Sequence, residues 1–426
     1  MTTQLLEARS KNTTAEMEQA AAKEGPSAGR IREMIASGEV VLPANKNHNG
    51  LSPLAIGNDL TTKVNANIGT SPDVADVEAE LCKLQAALDA GADSVMDLST
   101  GGDIDEVRSA IVENCSVPVG TVPMYQAAID AGGPEEMTID SYLEVLERHA
   151  RDGVDFVTVH AGVTRDAIPL LERRLMGVVS RGCSFMIRWM REHGKDSFLY
   201  ENFDDVLDIA LEYDVTMSLG DGLRPGCIED ATDEAQIHEL KILAELAERC
   251  RERGVQVMVE GTGHIPLHEV EKNVRLQKAY CQGAPFYVLG PLPTDIAPGY
   301  DHIVGAIGGA LAGAYGADFL CYVTPKEHIG LPGVDDVREG VVVTKIAAHV
   351  ADIAKDIPGA RRRDREMSYA RAERDWDTML ERALDPRRFK ELMAGESGED
   401  QCSMCADFCA IKLFREKSRH KDKAHH

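Results

Sequence analysis

The sequence predicts an α/β fold, a (β/α)8 TIM-like barrel with an N-terminal segment and a C-terminal helical arm that carries a cysteine motif. Eight short segments rich in Val, Ile, Leu and Phe occur between about residues 60 and 355 of the 426-residue chain. Patterns of helical period separate most of them, as in VADVEAELCKLQAALDAG, EAQIHELKILAELAERCRERG and VREGVVVTKIAAHVADIAK. Eight such alternations favour a closed barrel over the alternative, a doubly wound open sheet.

The eight apolar segments have the composition of buried parallel strands. In chain order they are TKVNANIG, DSVMDLST, VPVGTVPMY, VDFVTVHAG, VTMSLGDG, VQVMVEGTGH, PFYVLGPL and ADFLCYVTP. We therefore expect three regions: an N-terminal segment over residues 1–60, the catalytic barrel over residues 61–355, and a helical arm with a mobile cysteine tail over residues 356–426.

Residues able to bind or catalyse recur where the predicted strands end. They are Asn67, Met96 with Asp97, Tyr125, His160, Asp221, Glu260 with His264, Tyr287, and Thr324 followed by His328. Any one of them could simply cap a helix or serve the structure. Because the carboxyl ends of barrel strands meet at one mouth, the set together predicts an active site there.

Glycine-bearing turns add groups suited to an anion. SLGDGLRPG carries Asp221 and Arg224, and VVSRGCS offers the hydroxyl, charge and backbone amides of Ser180, Arg181 and Gly182. STGGD opens a predicted helix, which is another possible anion site. Although such loops are usually only turns, as a set they indicate a small phosphorylated substrate.

Three cysteines, Cys402, Cys405 and Cys409, stand as CSMCADFC near the C-terminus. Three thiolates can hold an iron–sulfur cluster that keeps one iron open for an exogenous ligand. The alternatives are a zinc site completed by a histidine of the KSRHKDKAHH run, or a redox switch. The spacing alone leaves these three possibilities open.

Composition and charge restrict the binding partners and the cellular compartment that we expect for this protein. The net charge of −25 argues against nucleic acid and anionic membranes as partners. No apolar run reaches spanning length and the N-terminus does not resemble a signal peptide, so a cytoplasmic protein is expected. The other seven cysteines are scattered singly, which suits a reducing compartment.

Two histidines are the best metal candidates outside the tail. His264 and His328 follow two different predicted strands and lie beside acidic or glycine-rich sequence. Two histidines with water or substrate would leave open positions, as catalytic metal sites do. The default for such residues is a hydrogen-bonding role.

Seven motifs together resemble the phosphomethylpyrimidine synthase (ThiC) family, radical S-adenosylmethionine enzymes of thiamin pyrimidine synthesis. They are KVNANIGTS, VMDLSTGG, SLGDGLRPG, MVEGTGHIP, APFYVLGPLPTDIAPGYDH, LCYVTPKEHIGLP and CSMC. The resemblance runs from TQLLEAR to CAIK, nearly the whole chain. It implies that Cys402, Cys405 and Cys409 bind a [4Fe–4S] cluster whose open iron chelates S-adenosylmethionine, and that His264 and His328 bind a second metal, zinc or iron.

The resemblance also implies a substrate and a reaction. The substrate is aminoimidazole ribotide, which a 5′-deoxyadenosyl radical rearranges to 4-amino-5-hydroxymethyl-2-methylpyrimidine phosphate with loss of formate and carbon monoxide. An electron donor such as flavodoxin or ferredoxin and a homodimer are implied as well. Substrate-binding positions of the family match Asn67, Met96, Tyr125, His160, Ser180, Arg181, Gly182, Asp221, Gly222, Leu223, Arg224, Glu260 and Tyr287.

The chain departs from the family pattern at several positions. Ala406 stands where a glycine is usual, and three residues rather than four separate Cys405 from Cys409. Thr262 replaces a proline before the metal histidine, and Cys183 replaces a glycine beside the presumed phosphate. These changes keep open a paralogue that acts on the same ribotide, 5-hydroxybenzimidazole synthase of cobamide synthesis. A non-catalytic barrel whose tail binds zinc or senses oxidation is the alternative from another class.

Overall fold

Eight parallel strands close into a barrel in the computed structural model, which describes residues 2–394, 408–411 and 413–414. Each strand pairs with its neighbour in sequence, and the last pairs with the first, so the predicted barrel is confirmed and the open sheet is wrong. The barrel strands are β3 (Lys63–Ile68), β4 (Ser94–Asp97), β5 (Val119–Thr121), β6 (Phe156–Val159), β7 (Thr216–Leu219), β8 (Val257–Gly261), β9 (Phe286–Leu289) and β10 (Phe319–Cys321).

Helices surround the barrel, and the three helical patterns predicted from the sequence form α4, α12 and α15. Up to the end of the barrel the helices are α1 (Gln4–Arg9), α2 (Ala15–Glu24), α3 (Ala28–Ser37), α4 (Val77–Asp89), α5 (Ile104–Asn114), α6 (Pro123–Asp130), α7 (Ile139–Asp152), α8 (Ile168–Leu171), α9 (Arg181–His193), α10 (Phe198–Glu201), α11 (Phe203–Tyr213), α12 (Glu234–Arg253), α13 (Val270–Tyr280), α14 (Asp301–Tyr315) and α15 (Val334–Ala354). After the barrel come α16 (Ala360–Glu373), α17 (Trp376–Arg382) and α18 (Pro386–Met393).

Capping residues explain where several of these helices begin and end. The side chains of Asp76, Asp103 and Asp233 accept hydrogen bonds from backbone N–H groups in the first turns of α4, α5 and α12. Such caps satisfy donors that have no partner within the helix. At the far end of α12, Gly254 adopts a left-handed conformation with φ of 86°, which stops the helix before β8.

The N-terminal segment has a structure that the sequence interpretation did not predict. Helices α1 to α3 pack with an antiparallel pair of short strands, β1 (Val40–Val41) and β2 (Ile56–Gly57), around an apolar cluster of their own. Hydrogen bonds tie this segment to the barrel: the Gln4 N–H donates to the Asp214 carboxylate at 2.9 Å, and the Leu42 N–H to the Gln256 side chain at 2.7 Å.

The chain divides into two compact units, Met1–Ile357 and Pro358–His426. The first unit contains the N-terminal segment and the barrel. The expected boundaries at residues 60 and 355 stay a prediction. Cys402 and Cys405 lie outside the described residues, whereas Cys409 lies within them. Among the described helices, none combines the length and the apolar character that crossing a bilayer requires.

Candidate active site

A cavity of about 540 Å³ lies at the carboxyl ends of the barrel strands. Barrel enzymes place their active sites at this end. Nine of the thirteen predicted substrate-binding residues line it: Asn67, Met96, Tyr125, His160, Ser180, Asp221, Arg224, Glu260 and Tyr287. Leu98, Val122, Thr158, Val288, Leu289 and Cys321 complete the lining. We call it the substrate cavity.

Strand register brings four of these side chains together from distant parts of the chain. Asn67 of β3 pairs with Met96 of β4, and Glu260 of β8 pairs with Tyr287 of β9. Because alternate residues of a strand point to the same side, these residues face the interior beside the mouth. The parallel barrel therefore assembles groups that are up to 220 positions apart in sequence, roughly the Asn67-to-Tyr287 separation.

Asn65 holds two of the lining residues in place. Its fully buried side-chain amide donates to the side-chain oxygen of Asn67 at 2.7 Å and to the Tyr287 hydroxyl at 2.8 Å. The Ser94 hydroxyl donates to Asn65 in turn. The Asn67 amide lies 3.1 Å from the Cys321 sulfur. This network fixes the wall of the cavity formed by β3, β9 and β10.

Asp221 and Arg224 form a buried ion pair on the turn after β7. The guanidinium nitrogen lies 3.1 Å from a carboxylate oxygen. Burial raises the pKa of Asp221, and the charge of Arg224 opposes that shift. A carboxylate beside a guanidinium can bind a hydroxyl or amine and an anion at the same time.

Glu260 lies across the cavity and receives two hydrogen bonds at one oxygen. Thr158 donates at 2.7 Å and Ser218 at 2.6 Å. Burial, with a smaller contribution from the Asp221 carboxylate, raises the pKa of Glu260, and the two hydroxyls oppose the rise. A carboxyl group with a raised pKa can both accept and give up a proton near neutral pH.

The Ser180–Arg181–Gly182 segment forms the N-terminus of helix α9. Ser180 caps the helix, and its hydroxyl lies 3.0 Å from the His160 Nε2. The Arg181 guanidinium stacks over the Tyr125 ring at 4.8 Å from its centroid. The backbone N–H groups of a helix N-terminus beside an arginine make a phosphate-binding arrangement. Arg181 lines a neighbouring cavity rather than the substrate cavity itself.

His160 is a neutral imidazole in this setting. Burial and the nearby Arg224 charge lower the pKa of His160 to about 3. Its Nδ1 has no hydrogen-bond partner among the described residues. Gly182 makes room for the ring, since a Cβ there would lie 2.6 Å from His160 Nδ1. His160 is therefore available as a neutral hydrogen-bonding group.

The neighbouring cavity, of about 1160 Å³, opens beside the substrate cavity. Both are lined by Asn67, Leu98, Tyr125, Arg224 and Leu289, so the two cavities adjoin each other. We call it the adjoining cavity. Thr100 of the predicted STGGD loop and Thr324 line it, as do Lys83 and Glu327, which the sequence interpretation did not identify.

A buried ion pair shapes the adjoining cavity. Glu80 accepts from Lys83 at 2.7 Å and from the Gly69 N–H at 2.8 Å. Asp97, noted from the sequence as a strand-end residue, accepts from the Ser99 N–H at 3.0 Å instead of lining either cavity. Asp97 therefore positions the loop that follows β4.

Gly222 and Leu223 lie on the turn after β7, between Asp221 and Arg224, but do not line the substrate cavity. A Cβ at Gly222 would lie 2.8 Å from the Cys183 Cβ, so glycine permits the close approach of α9. The Leu223 N–H donates to Glu239 at 2.7 Å, and Arg174 donates to the Leu223 carbonyl at 2.7 Å. Neither Glu239 nor Arg174 was identified from the sequence.

His264 and His328, the two metal candidates, lie close together. Their ring centroids are 5.2 Å apart. Each Nδ1 is bonded to a carboxylate, His264 to Asp295 at 2.6 Å and His328 to Asp301 at 3.0 Å. A carboxylate on Nδ1 leaves Nε2 as the metal-binding nitrogen.

The donor set of this pair fits a metal ion. Two imidazoles that bind one tetrahedral ion through Nε2 place their ring centroids about 5 Å apart. Within the part of the chain that the structure describes, no group of three or more His, Cys, Asp or Glu is arranged to hold a metal. The two histidines would therefore leave the remaining positions to water or substrate, an arrangement typical of catalytic rather than structural metal sites.

Most of the cysteines outside the terminal motif are buried thiols. Cys115, Cys183, Cys227, Cys250, Cys281 and Cys321 are buried, and Cys82 is exposed. Burial raises the pKa of Cys115, Cys281 and Cys321 to about 12, which keeps those thiols protonated. Cluster ligation needs thiolates. Of the CSMCADFC cysteines only Cys409 is described, and it is half-buried.

Comparison with known proteins gives a consistent result. The model of the family described as "Radical SAM ThiC family" matches residues 3–416. Curated phosphomethylpyrimidine synthases from Dehalococcoides mccartyi and Desulforamulus reducens are 56% and 54% identical; each alignment covers 96% of this chain and 97% of that relative. Among solved structures, the dihydropteroate synthase of Yersinia pestis aligns with a TM-score of 0.44 and 11% identity, over 74% of this chain and 99% of that chain.

Proposed function

The chain belongs to the radical SAM ThiC family, and from that premise we propose that it is a phosphomethylpyrimidine synthase. It rearranges 5-aminoimidazole ribotide to 4-amino-5-hydroxymethyl-2-methylpyrimidine phosphate in thiamin synthesis, as a radical carbon–carbon lyase. One observation carries the proposal: residues matched one by one to the family's ribotide positions line a single cavity at the barrel mouth. The similarity of whole-length relatives favours this product over hydroxybenzimidazole.

Different polar side chains bind different parts of the ribotide. The helix α9 N-terminus with Ser180 and Arg181 binds the phosphate. Asp221 and Arg224 bind ribose hydroxyls or the amino group, and His160 donates or accepts one neutral hydrogen bond. Glu260 exchanges a proton with the rearranging imidazole.

The cofactors are an iron–sulfur cluster and S-adenosylmethionine, as the family implies. When bound, they supply the radical that starts the rearrangement. Cys402, Cys405 and Cys409 are the proposed cluster ligands, and the adjoining cavity beside the ribotide is large enough for S-adenosylmethionine. The side chains that line both cavities exclude water from the reaction.

The Nε2 atoms of His264 and His328 are the proposed ligands of one divalent metal, zinc or iron. Asp295 and Asp301 orient the two rings. We expect His264→Ala to lower turnover while the cluster's visible absorbance stays intact. Loss of the cluster in that variant would contradict a separate metal site.

The remaining partners are proposed from the family. They are a flavodoxin or ferredoxin as electron donor and a second copy of the chain as homodimer, within the cytoplasm. Two packed helices offer an apolar face for the second copy: Ile303 and Ile307 on α14, and Ile346 and Val350 on α15, are about half exposed. Ile307→Lys should raise the monomer fraction in sedimentation, whereas Val74→Lys, at an equally exposed position outside these helices, should not.

The cysteine motif gives the direct test of the proposed chemistry. After anaerobic reconstitution, Cys405→Ser should lose the visible absorbance of the cluster and form no pyrimidine phosphate. Cys82→Ser is the matched control, since Cys82 is an exposed thiol outside the motif. A colourless Cys405→Ser protein that still turned over ribotide would contradict the proposal, and so would an unchanged spectrum.

A further inference from the structure

A third cavity, of about 340 Å³, lies between the end of strand β8 and helices α12 and α13. We call it the helix-side cavity. Leu240, Leu243 and Phe286 form its apolar wall. This cavity and the substrate cavity share three lining residues, Asp221, Arg224 and Glu260. The two cavities therefore adjoin each other at these side chains.

Three buried polar atoms belong to residues that line the helix-side cavity. Glu239 Oε1, Thr262 Oγ1 and Gln277 Oε1 have no hydrogen-bond partner in the described part of the chain. The three residues are 2%, 4% and 1% exposed. An unsatisfied buried polar atom costs about 1–3 kcal/mol, so three beside one cavity indicate a shared ligand.

The chemistry of these atoms defines the ligand. The two carbonyl-type oxygens accept hydrogen bonds, and the hydroxyl can accept one as well. The remaining polar atoms are already bonded: Gln277 Nε2 donates to the Ala284 carbonyl, and Glu239 Oε2 accepts from the Leu223 N–H. A very small ligand that brings donors is required, and the free space in the cavity is enough for water but for little more.

We propose that the helix-side cavity binds ordered water, held by Glu239, Thr262 and Gln277, that fixes the turn carrying Asp221 and Arg224. Glu239 connects the water site to this turn, since its side chain lines the cavity and its Oε2 accepts from the Leu223 N–H at 2.7 Å. The water site does not depend on the proposed function. The effect on ribotide binding does.

Hydration changes how firmly Glu239 holds the turn. Burial raises the pKa of Glu239 well above its usual range, and the Asp221 carboxylate adds to the rise. Arg174 opposes it, Arg224 also lines the cavity, and the Cys183 thiol lies close to Glu239 on the α9 side. Waters bonded to Oε1 favour the ionised form, which accepts the stronger hydrogen bond from Leu223.

Thr262 departs from the family pattern and changes the lining of the helix-side cavity in this chain. Its φ is 53°, a left-handed conformation that is rare for a β-branched residue. Proline, the usual residue of the resembling family here, is confined to φ near −65° and has no hydroxyl. The strained threonine therefore supplies both a different backbone path and one of the three unpartnered oxygens.

A high-resolution crystal structure of the full-length chain tests the water site. We expect ordered density within about 3.2 Å of all three atoms in the wild type. Thr262→Val, which keeps the shape of the side chain, should lose the density at position 262 only, and Thr262→Ser should retain it. Absence of density in the wild type would overturn the proposal, as would an ion with metal-like coordination.

Calorimetric binding of ribotide, without turnover, tests the effect on the turn. We expect Thr262→Val to bind the ribotide several-fold more weakly than the wild type, and Thr262→Ser to bind it nearly as well. Equal affinity of the two variants despite lost water density would overturn the link between water and turn. Failure of the wild type to bind ribotide would count against the proposed function and leave the water site standing.

Discussion

At the scale of single residues, hydrogen bonds from neighbouring side chains hold the groups that line the substrate cavity. Asn67, His160 and Glu260 were predicted from their places at strand ends, and they line the substrate cavity. Asn65 and Thr158 stand two positions earlier on the same strands and bond to lining residues. The period of two along a strand was the available signal for both. Long-range partners such as Asp295 carried no local signal.

The hydroxyls that donate to Glu260 should set the pH at which it ionises. Ser218→Ala removes a bond of 2.6 Å to the carboxylate, so the pKa of Glu260 should rise further. A hydrogen bond to a charged group contributes about 1.5–3 kcal/mol, so the pH profile of ribotide affinity should shift upward by roughly one to two units. Ser37→Ala, whose hydroxyl bonds within α3, is the control. A Ser218→Ala profile that overlaid the wild type would contradict this role of Glu260.

Gly182 should be needed for the space that it leaves to His160. In Gly182→Ala the new Cβ would meet the imidazole at 2.6 Å, and the ring would have to move away from Ser180. We expect ribotide affinity to fall at least tenfold, measured by calorimetry. Gly29→Ala, on helix α3 where the nearest atom is 3.9 Å away, should bind like the wild type. Normal affinity of Gly182→Ala would show that His160 does not bind the substrate.

At the scale of elements, apolar runs and helical periods correctly predicted the barrel strands and the helices α4, α12 and α15. They failed at the N-terminus, where α1 to α3 are short and amphipathic, and where stability comes from packing that sequence period alone does not reveal. The connection between β6 and β7 contains α8 to α11, which the pattern of one helix per strand did not predict.

The docking of α1 onto the barrel should depend on pH through Asp214. Burial raises the pKa of Asp214 from 3.8 to about 7. The folded chain then holds a proton that the unfolded chain releases, so stability should fall as pH rises from about 4 to about 7. Asp214→Asn keeps an oxygen that can accept from the Gln4 N–H and tolerates the left-handed φ of 57°.

Unfolding in denaturant at pH 5 and pH 8 tests this dependence. The wild type should lose more stability than Asp214→Asn between the two pH values, by up to about 3 kcal/mol if the whole shift is realised. Asp205→Asn, an exposed change on the same helix, should follow the wild type. Parallel pH dependence in wild type and Asp214→Asn would contradict the assignment.

At the scale of the whole molecule, the barrel mouth joins the substrate cavity to the adjoining cavity, with the histidine pair built on the loops that follow β8 and β10. The convergence of strand ends was predictable, since it follows from barrel geometry. The product followed from the family resemblance and not from barrel geometry, and the close approach of Cys183 to Gly222, on the turn that carries Asp221, had no local signal in the sequence.

The product of the wild-type enzyme is the central test. Reconstituted protein would be incubated anaerobically with aminoimidazole ribotide, S-adenosylmethionine and a strong reductant, and the products read by mass spectrometry. We expect 4-amino-5-hydroxymethyl-2-methylpyrimidine phosphate together with 5′-deoxyadenosine. Formation of 5-hydroxybenzimidazole, or of 5′-deoxyadenosine with no pyrimidine product, would contradict the account.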